Sequence, residues 1–124
     1  MYTISGNANG AQMVPSVTGN GTGKITGTYN PNNGTLTYTT TWDSLSGGPT
    51  SGGFYNGASG VAGTAVGTPW AMGSNLTGTG SFSGTMNLTP AQAQDLKNGN
   101  WYYSMGTATN PGGEIRGQMT ATQQ

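Results

Sequence analysis

The sequence predicts an all-β domain, a Greek-key sandwich of about eight strands with one short helix near residues 89–98. Three observations lead there. Thr, Tyr, Trp, Val and Ile are spaced among 24 glycines in a chain of zero net charge, a β-rich composition and not the highly charged one of a disordered tail. Residues 35–42 alternate strictly, with Thr35, Thr37, Thr39 and Thr41 on one face and Leu36, Tyr38, Thr40 and Trp42 on the other. Strong turn signals such as Asn30-Pro-Asn-Asn-Gly34 separate the extended runs. At 124 residues the chain is one domain, 1–124, with length for a single core.

In chain order, Tyr2–Ser5 reads as a short strand. The stretch 7–21 is rich in Gly, Asn and Pro, interrupted by the apolar patch Met13-Val14-Pro15. Residues 23–29 place Ile25 and Tyr29 on one face and Lys24, Thr26 and Thr28 on the other. With residues 35–42 they make a hairpin. Residues 43–76 are loop-rich, with short extended pieces at 53–56 and 65–72. Residues 81–88 turn Phe82, Met86 and Leu88 inward. Thr89 is placed to cap a helix, Pro90 suits its first position, and Gly99 suits its stop. Residues 101–105 and 114–120 complete the strands.

Three basic residues (Lys24, Lys97, Arg116) against three acidic ones (Asp43, Asp95, Glu114) leave no footprint for nucleic acid or an anionic membrane surface. No apolar run approaches the roughly 20 residues of a membrane helix. Met1-Tyr-Thr-Ile is followed at once by polar residues, so the expectation is a chain already processed or never targeted. Without His or Cys, the common zinc, copper and iron ligand sets and histidine acid–base chemistry are excluded, and no cofactor is expected. Gly19-Asn-Gly-Thr-Gly-Lys24 has the look of a phosphate loop but leads into a strand and lacks the loop's last hydroxyl residue.

The most distinctive segment is Asn110-Pro111-Gly112-Gly113-Glu114-Ile115-Arg116, a tight turn feeding a strand that carries two of the six charges. Residues two apart share a strand face, so Glu114 and Arg116 are expected to form a tie at this corner, with Asp43 nearby. Ile115 and Met119 are expected inward.

Near-zero charge favours association, and uncharged strand edges are templates for pairing. Residues 1–17 are therefore read as an arm for exchange with a second copy, with Tyr2, Ile4, Met13 and Val14 as its contacts; the alternative is that the arm packs in its own domain. Trp42 and Trp101 are read as core, whereas Trp70 and Tyr55, in loop-rich sequence, are candidates for a carbohydrate- or protein-binding surface. Asn-x-Ser/Thr sequons start at Asn20, Asn33, Asn75 and Asn87, the last weakened by Pro90; Asn20, Asn33 and Asn75 are the acceptors expected, with Asn33 the best placed, in its hairpin turn. The threonine run on residues 35–41 has the spacing of an ice-binding rung, but one strand supplies one rung.

Three segments carry a family resemblance: Gly10-Ala-Gln-Met-Val-Pro15, Leu36-Thr-Tyr-Thr-Thr-Thr-Trp42 and Asn110-Pro-Gly-Gly-Glu-Ile-Arg-Gly-Gln118. In this order, and with the helix ahead of Gly99-Asn-Trp-Tyr, the chain resembles the CHRD domain, named after chordin and abundant in secreted microbial proteins. The resemblance implies an extracellular β-sandwich, similar in layout to copper/zinc superoxide dismutase. In chordin such domains sit in a growth-factor antagonist. This chain has Phe54-Tyr55-Asn56-Gly57 where the family usually shows His-x-His-Gly, and Gly106 where it usually has another His. Met13 stands in place of the usual Glu. A metal or redox role is therefore not carried over. The expectation is a non-catalytic extracellular or cell-surface structural subunit, partnered with itself in a fibre or layer. The alternative is a secreted module that binds glycans or a protein.

Overall fold

The hairpin read around Asn30–Gly34 forms, and strands add to both of its sides. A computed structural model describes every residue except 68, 71, 73–75 and 124. Its strands are β1 (Tyr2–Asn9), β2 (Thr22–Asn30), β3 (Thr35–Asp43), β4 (Ser51–Asn56), β5 (Thr64–Val66), β6 (Gly80–Asn87), β7 (Trp101–Gly106) and β8 (Ile115–Gln123), with helix α1 (Pro90–Lys97) between β6 and β7. All lie in one sheet in the order β5-β4-β7-β8-β1-β2-β3-β6, and every neighbouring pair is antiparallel.

The two layers expected of a sandwich are the two halves of this one curled sheet. Tyr38 on β3 and Phe54 on β4 stand five places apart in the strand order, yet their rings meet edge to face at 4.9 Å across the core. Trp70 lies between the halves, its ring 5.5 Å from both Tyr38 and Phe82. The alternating residues expected inward are buried: Ile25, Tyr29, Leu36, Tyr38, Thr40, Trp42, Ile115 and Met119. Phe82 and Met86 are only half-buried: β6 is the terminal strand of the sheet, with no further strand beside it among the described residues. Helix α1 forms as read. Thr89 and Gln92 make a reciprocal capping box, Ala93 and Leu96 face the core, and Gly99 takes φ +78° just past the end.

The N-terminal strand runs longer than expected, to Asn9, and it packs in its own domain. β1 sits between β2 and β8 near the middle of the sheet, with Ile4 wholly buried, Tyr2 beside Tyr29, and the Lys97 ammonium over the Tyr2 ring. Met13 is folded back against Ser104, and Val14 is exposed. The sequence predicts a strand only over Tyr2–Ser5, ahead of the Gly- and Asn-rich stretch 7–21. In the fold Gly6 and Ala8 face inward, where Gly6 has no room for a Cβ beside the Gln118 carbonyl.

Two expected outcomes follow from this packing. Deleting residues 1–9 removes a central strand and leaves β2 and β8 without a shared neighbour. The truncated chain should therefore lose its cooperative thermal transition by circular dichroism, and a folded truncated monomer would restore the arm reading. Among the described residues the buried Thr40 and Tyr103 hydroxyls have no hydrogen-bond partner other than each other. Replacing both (Thr40→Val with Tyr103→Phe) should leave Tm unchanged or raised, because two desolvated polar groups are removed together. A drop of about 2 kcal/mol or more in denaturant unfolding would show that the pair holds the core in place.

Candidate functional site

Chemistry-bearing residues gather where β7 and β8 meet. Every residue of β7 is buried, so both of its faces are covered. Trp101, Tyr103 and Met105 face the core. Tyr102 and Ser104 face outward under the 57–63 loop and the returning 10–17 segment, through Gly63 N–H to Tyr102 Oη (2.8 Å) and Ser104 Oγ to Met13 Sδ (3.7 Å).

The Asn110–Gly113 turn closes this end. Gly113 N–H donates to the Asn110 carbonyl (3.0 Å), and Asn110 N–H to Thr107 Oγ1 (3.2 Å). Gly113 must be glycine: φ is +130°, and a Cβ there would lie 2.6 Å from the Met13 methyl and 2.8 Å from Ser104 Oγ. Glu114 N–H then reaches the Met105 carbonyl at 2.7 Å and starts the β7–β8 ladder.

Glu114 and Arg116 are both buried, and the tie expected between them is absent. Among the described residues no ion pair joins them, and each is held by neutral groups. The Glu114 carboxylate accepts from Ser46 N–H (2.8 Å), the Ser46 hydroxyl, Thr107 Oγ1 (2.8 Å) and Asn110 Nδ2 (3.2 Å). Asp43 is elsewhere, accepting from Thr79 Oγ1 at 2.7 Å. Arg116 donates from Nη1 to the Val61 carbonyl (2.7 Å), and from Nη2 to the Ala58 carbonyl (2.7 Å) and Gln118 Oε1 (3.1 Å). Its guanidinium carbon lies 3.5 Å from the Tyr102 ring centroid, a cation–π contact in a desolvated place. The expectation failed because loops far away in sequence reach each charge with oriented neutral groups; Ser46, Ala58 and Val61 carry no local signal of that role.

The Trp70 surface reading is corrected as well. Trp70 is buried: its backbone N–H donates to the Gly52 carbonyl, and its ring lies in the core between Tyr38 and Phe82. Tyr55 is half-buried and stacks on Tyr102 at 5.2 Å, at the rim of a cavity of about 200 Å³ over Arg116. The positions where the family usually carries histidines do not converge. Asn56 pairs with Trp101 and Gly106 with Ser51, at opposite ends of β4, roughly 17 Å apart along the strand. Asn20 and Asn33 are exposed, and Asn33 Oδ1 accepts from Thr35 N–H within the turn. Asn75 lies outside the described residues.

Elsewhere the outward face of five strands is a carpet of hydroxyls. Register aligns Thr122, Thr3, Thr28, Thr37 and Thr85 in one row, and Thr120, Ser5, Thr26, Thr39 and Ser83 in the next. Neighbours bond across strands, Ser5 with Thr120 at 3.1 Å and Thr39 with Ser83 at 2.9 Å. The single threonine rung read on residues 35–41 is thus one of five, on a curled surface.

A family model for the CHRD domain matches residues 4–119, nearly the whole chain. No curated protein and no solved structure matches. The chain belongs to the CHRD domain family.

Burial alone would raise the Glu114 pKa, but the hydrogen bonds from Ser46, Thr107 and Asn110 outweigh it and hold the carboxyl below its ordinary value. A depressed folded-state pKa contributes stability above the unfolded value of about 4.3, lost as pH falls through the folded value. Tm should therefore fall on acidification below about pH 4.3, and Glu114→Gln should flatten that part of the profile. At pH 7 the variant should be less stable by about 1–3 kcal/mol, since its amide turns a donor toward donors. A Gln variant as acid-sensitive as the parent would exclude Glu114 as the source.

Proposed function

We propose that this CHRD-domain chain is a non-catalytic extracellular structural protein that associates with copies of itself through the edge of its sheet. One observation carries the reading: β6, the terminal strand at one edge, is eight residues long and contains no Lys, Arg, Asp, Glu or Pro. Soluble proteins guard such edges with charge, proline or brevity. Leu88 N–H donates to Gly34 O on the β3 side, so alternation turns the backbone groups of Ser81, Ser83, Thr85 and Asn87 toward the side where no strand pairs among the described residues. The opposite edge, β5, has three residues. Adding β6 of one copy to β5 of the next is a head-to-tail contact, which extends one sheet into a filament or layer. Zero net charge supports the reading by leaving little repulsion between copies. The non-catalytic part is supported by the engagement of both buried charges in hydrogen bonds that hold loops. Exposed Asn33 and Asn20 are acceptors for glycan in a secreting host.

The second reading, a secreted carbohydrate- or protein-binding module, draws support from Tyr55, which keeps an exposed side at the rim of the Arg116 cavity.

Ser83→Lys with Thr85→Lys places two charges on outward positions of β6 and should leave the circular dichroism spectrum unchanged. Sedimentation velocity and negative-stain microscopy should show assemblies for the parent and monomers for the variant. A parent that stays monomeric at high concentration, or a variant that assembles equally well, would sink edge-mediated assembly.

A further inference from the structure

Five Asn-Gly steps occur in the chain, at Asn9, Asn20, Asn33, Asn56 and Asn98. Such a step can react with itself, because the glycine nitrogen closes a five-membered ring on the asparagine side chain and no Cβ crowds its approach. The reaction needs two groups to be free: the side-chain amide and the N–H that follows it.

Four of the five steps are held. Asn9 Oδ1 accepts from Gln12 N–H (3.1 Å), Asn33 Oδ1 from Thr35 N–H (3.0 Å) and Asn98 Oδ1 from Gln94 Nε2 (3.3 Å). Asn56 Nδ2 donates to Asp95 Oδ2 at 2.8 Å. In three of these the glycine N–H is engaged as well: Gly34 with the Asn30 carbonyl (2.8 Å), Gly57 with Asn100 (2.6 Å) and Gly99 with Leu96 (3.1 Å). Asn9 is fixed instead by its place in β1, paired with Thr22 on one side and Arg116 on the other. Asn20 is different. Among the described residues neither its side chain nor the Gly21 N–H has a hydrogen-bond partner, Asn20 is exposed, and both residues lie outside helix and strand.

We infer that Asn20 is a self-modification site, the position at which the folded chain deamidates. Hydroxide or water takes the Gly21 N–H proton, and the nitrogen attacks Asn20 Cγ. The N–Cγ bond forms, the Cγ–Nδ2 bond breaks, and the side-chain nitrogen leaves as ammonia, so that a succinimide ring joins the two residues. Water then opens the ring. Cleavage of the N–Cγ bond gives aspartate, and cleavage between that nitrogen and the Asn20 backbone carbonyl carbon gives isoaspartate. No electrons are exchanged, and water and hydroxide are the only co-reactants. Either product is a carboxylate at neutral pH, so a chain of zero net charge becomes an anion and the Asn20-Gly-Thr22 sequon is lost. The change falls beside a packed position, since a Cβ on Gly21 would lie 2.7 Å from a Leu45 methyl and 3.3 Å from Glu114 Oε2. The inference is independent of both the assembly and the binding-module readings.

The test is ageing of the purified full chain in mildly alkaline buffer, with a parallel sample unfolded in guanidinium. Fragment-ion mass spectrometry scores amide-to-acid conversion at each of the five steps. In the folded chain Asn20 should convert at least tenfold faster than Asn9, Asn33, Asn56 and Asn98, with isoaspartate among its products. In the unfolded chain, where the holding bonds are gone, the five should convert at similar rates. Asn20→Gln, at an exposed position without a partner, should keep the parent circular dichroism spectrum. It should also remove the acidic species that isoelectric focusing detects in the aged parent, because glutamine would have to close a larger ring. Conversion at any of the other four steps as fast as at Asn20 in the folded chain overturns the assignment. So does a folded chain inert at Asn20 while the unfolded one reacts, or an acidic species undiminished in Asn20→Gln.

Discussion

β7 is covered on both faces, and the loops at that end of the molecule are ordered by the need to satisfy what it and its hairpin partner bury. A strand with one wet face can leave outward polar groups to water; here the 57–63 loop, the 10–17 segment and the 107–113 turn must supply partners instead. Gly63 N–H meets Tyr102, Met13 meets Ser104, and backbone carbonyls meet Arg116. Glu114 applies the same rule with opposite sign, collecting donors from Ser46, Thr107 and Asn110. The charges are buried separately because each has a complete local set of oriented dipoles. Pairing them directly would leave both loops without an anchor.

The same arrangement explains why so uncharged a chain places two of its six charges here. The guanidinium spans two carbonyls of one loop, Ala58 and Val61, with a rigid planar fork. Desolvation makes these contacts stronger than at the surface, and it makes an unsatisfied member costly. The corner thus joins three connections far apart in sequence, and a cavity lined by Met13, Tyr55, Tyr102, Gly112 and Arg116 lies over it.

The rest of the surface follows a different economy. Five adjacent strands show rows of Thr and Ser with Lys24 among them, and cross-strand hydroxyl pairs satisfy part of that face without charge. A surface made polar by hydroxyls leaves the backbone edge at β6 unguarded by charge, which is the physical basis of the assembly reading.

Local patterns in the sequence determined the all-β class, the 22–43 hairpin, the inward set on β3, the capped helix from Thr89 to Gly99, and the closing turn at Asn110–Gly113. Each depends on interactions within a few residues: side-chain alternation, a capping hydroxyl, a glycine at positive φ. The family match rests on the same local motifs in their order along the chain. Tertiary structure alone decided the rest. It placed β1 in the middle of the sheet, set the Trp70 ring in the core, aligned one threonine rung with four others, and gave Glu114 and Arg116 separate partners 68 and 55–58 residues away. These outcomes depend on which loops a curled sheet brings together, and no spacing along the chain encodes a meeting between a side chain and a distant backbone carbonyl.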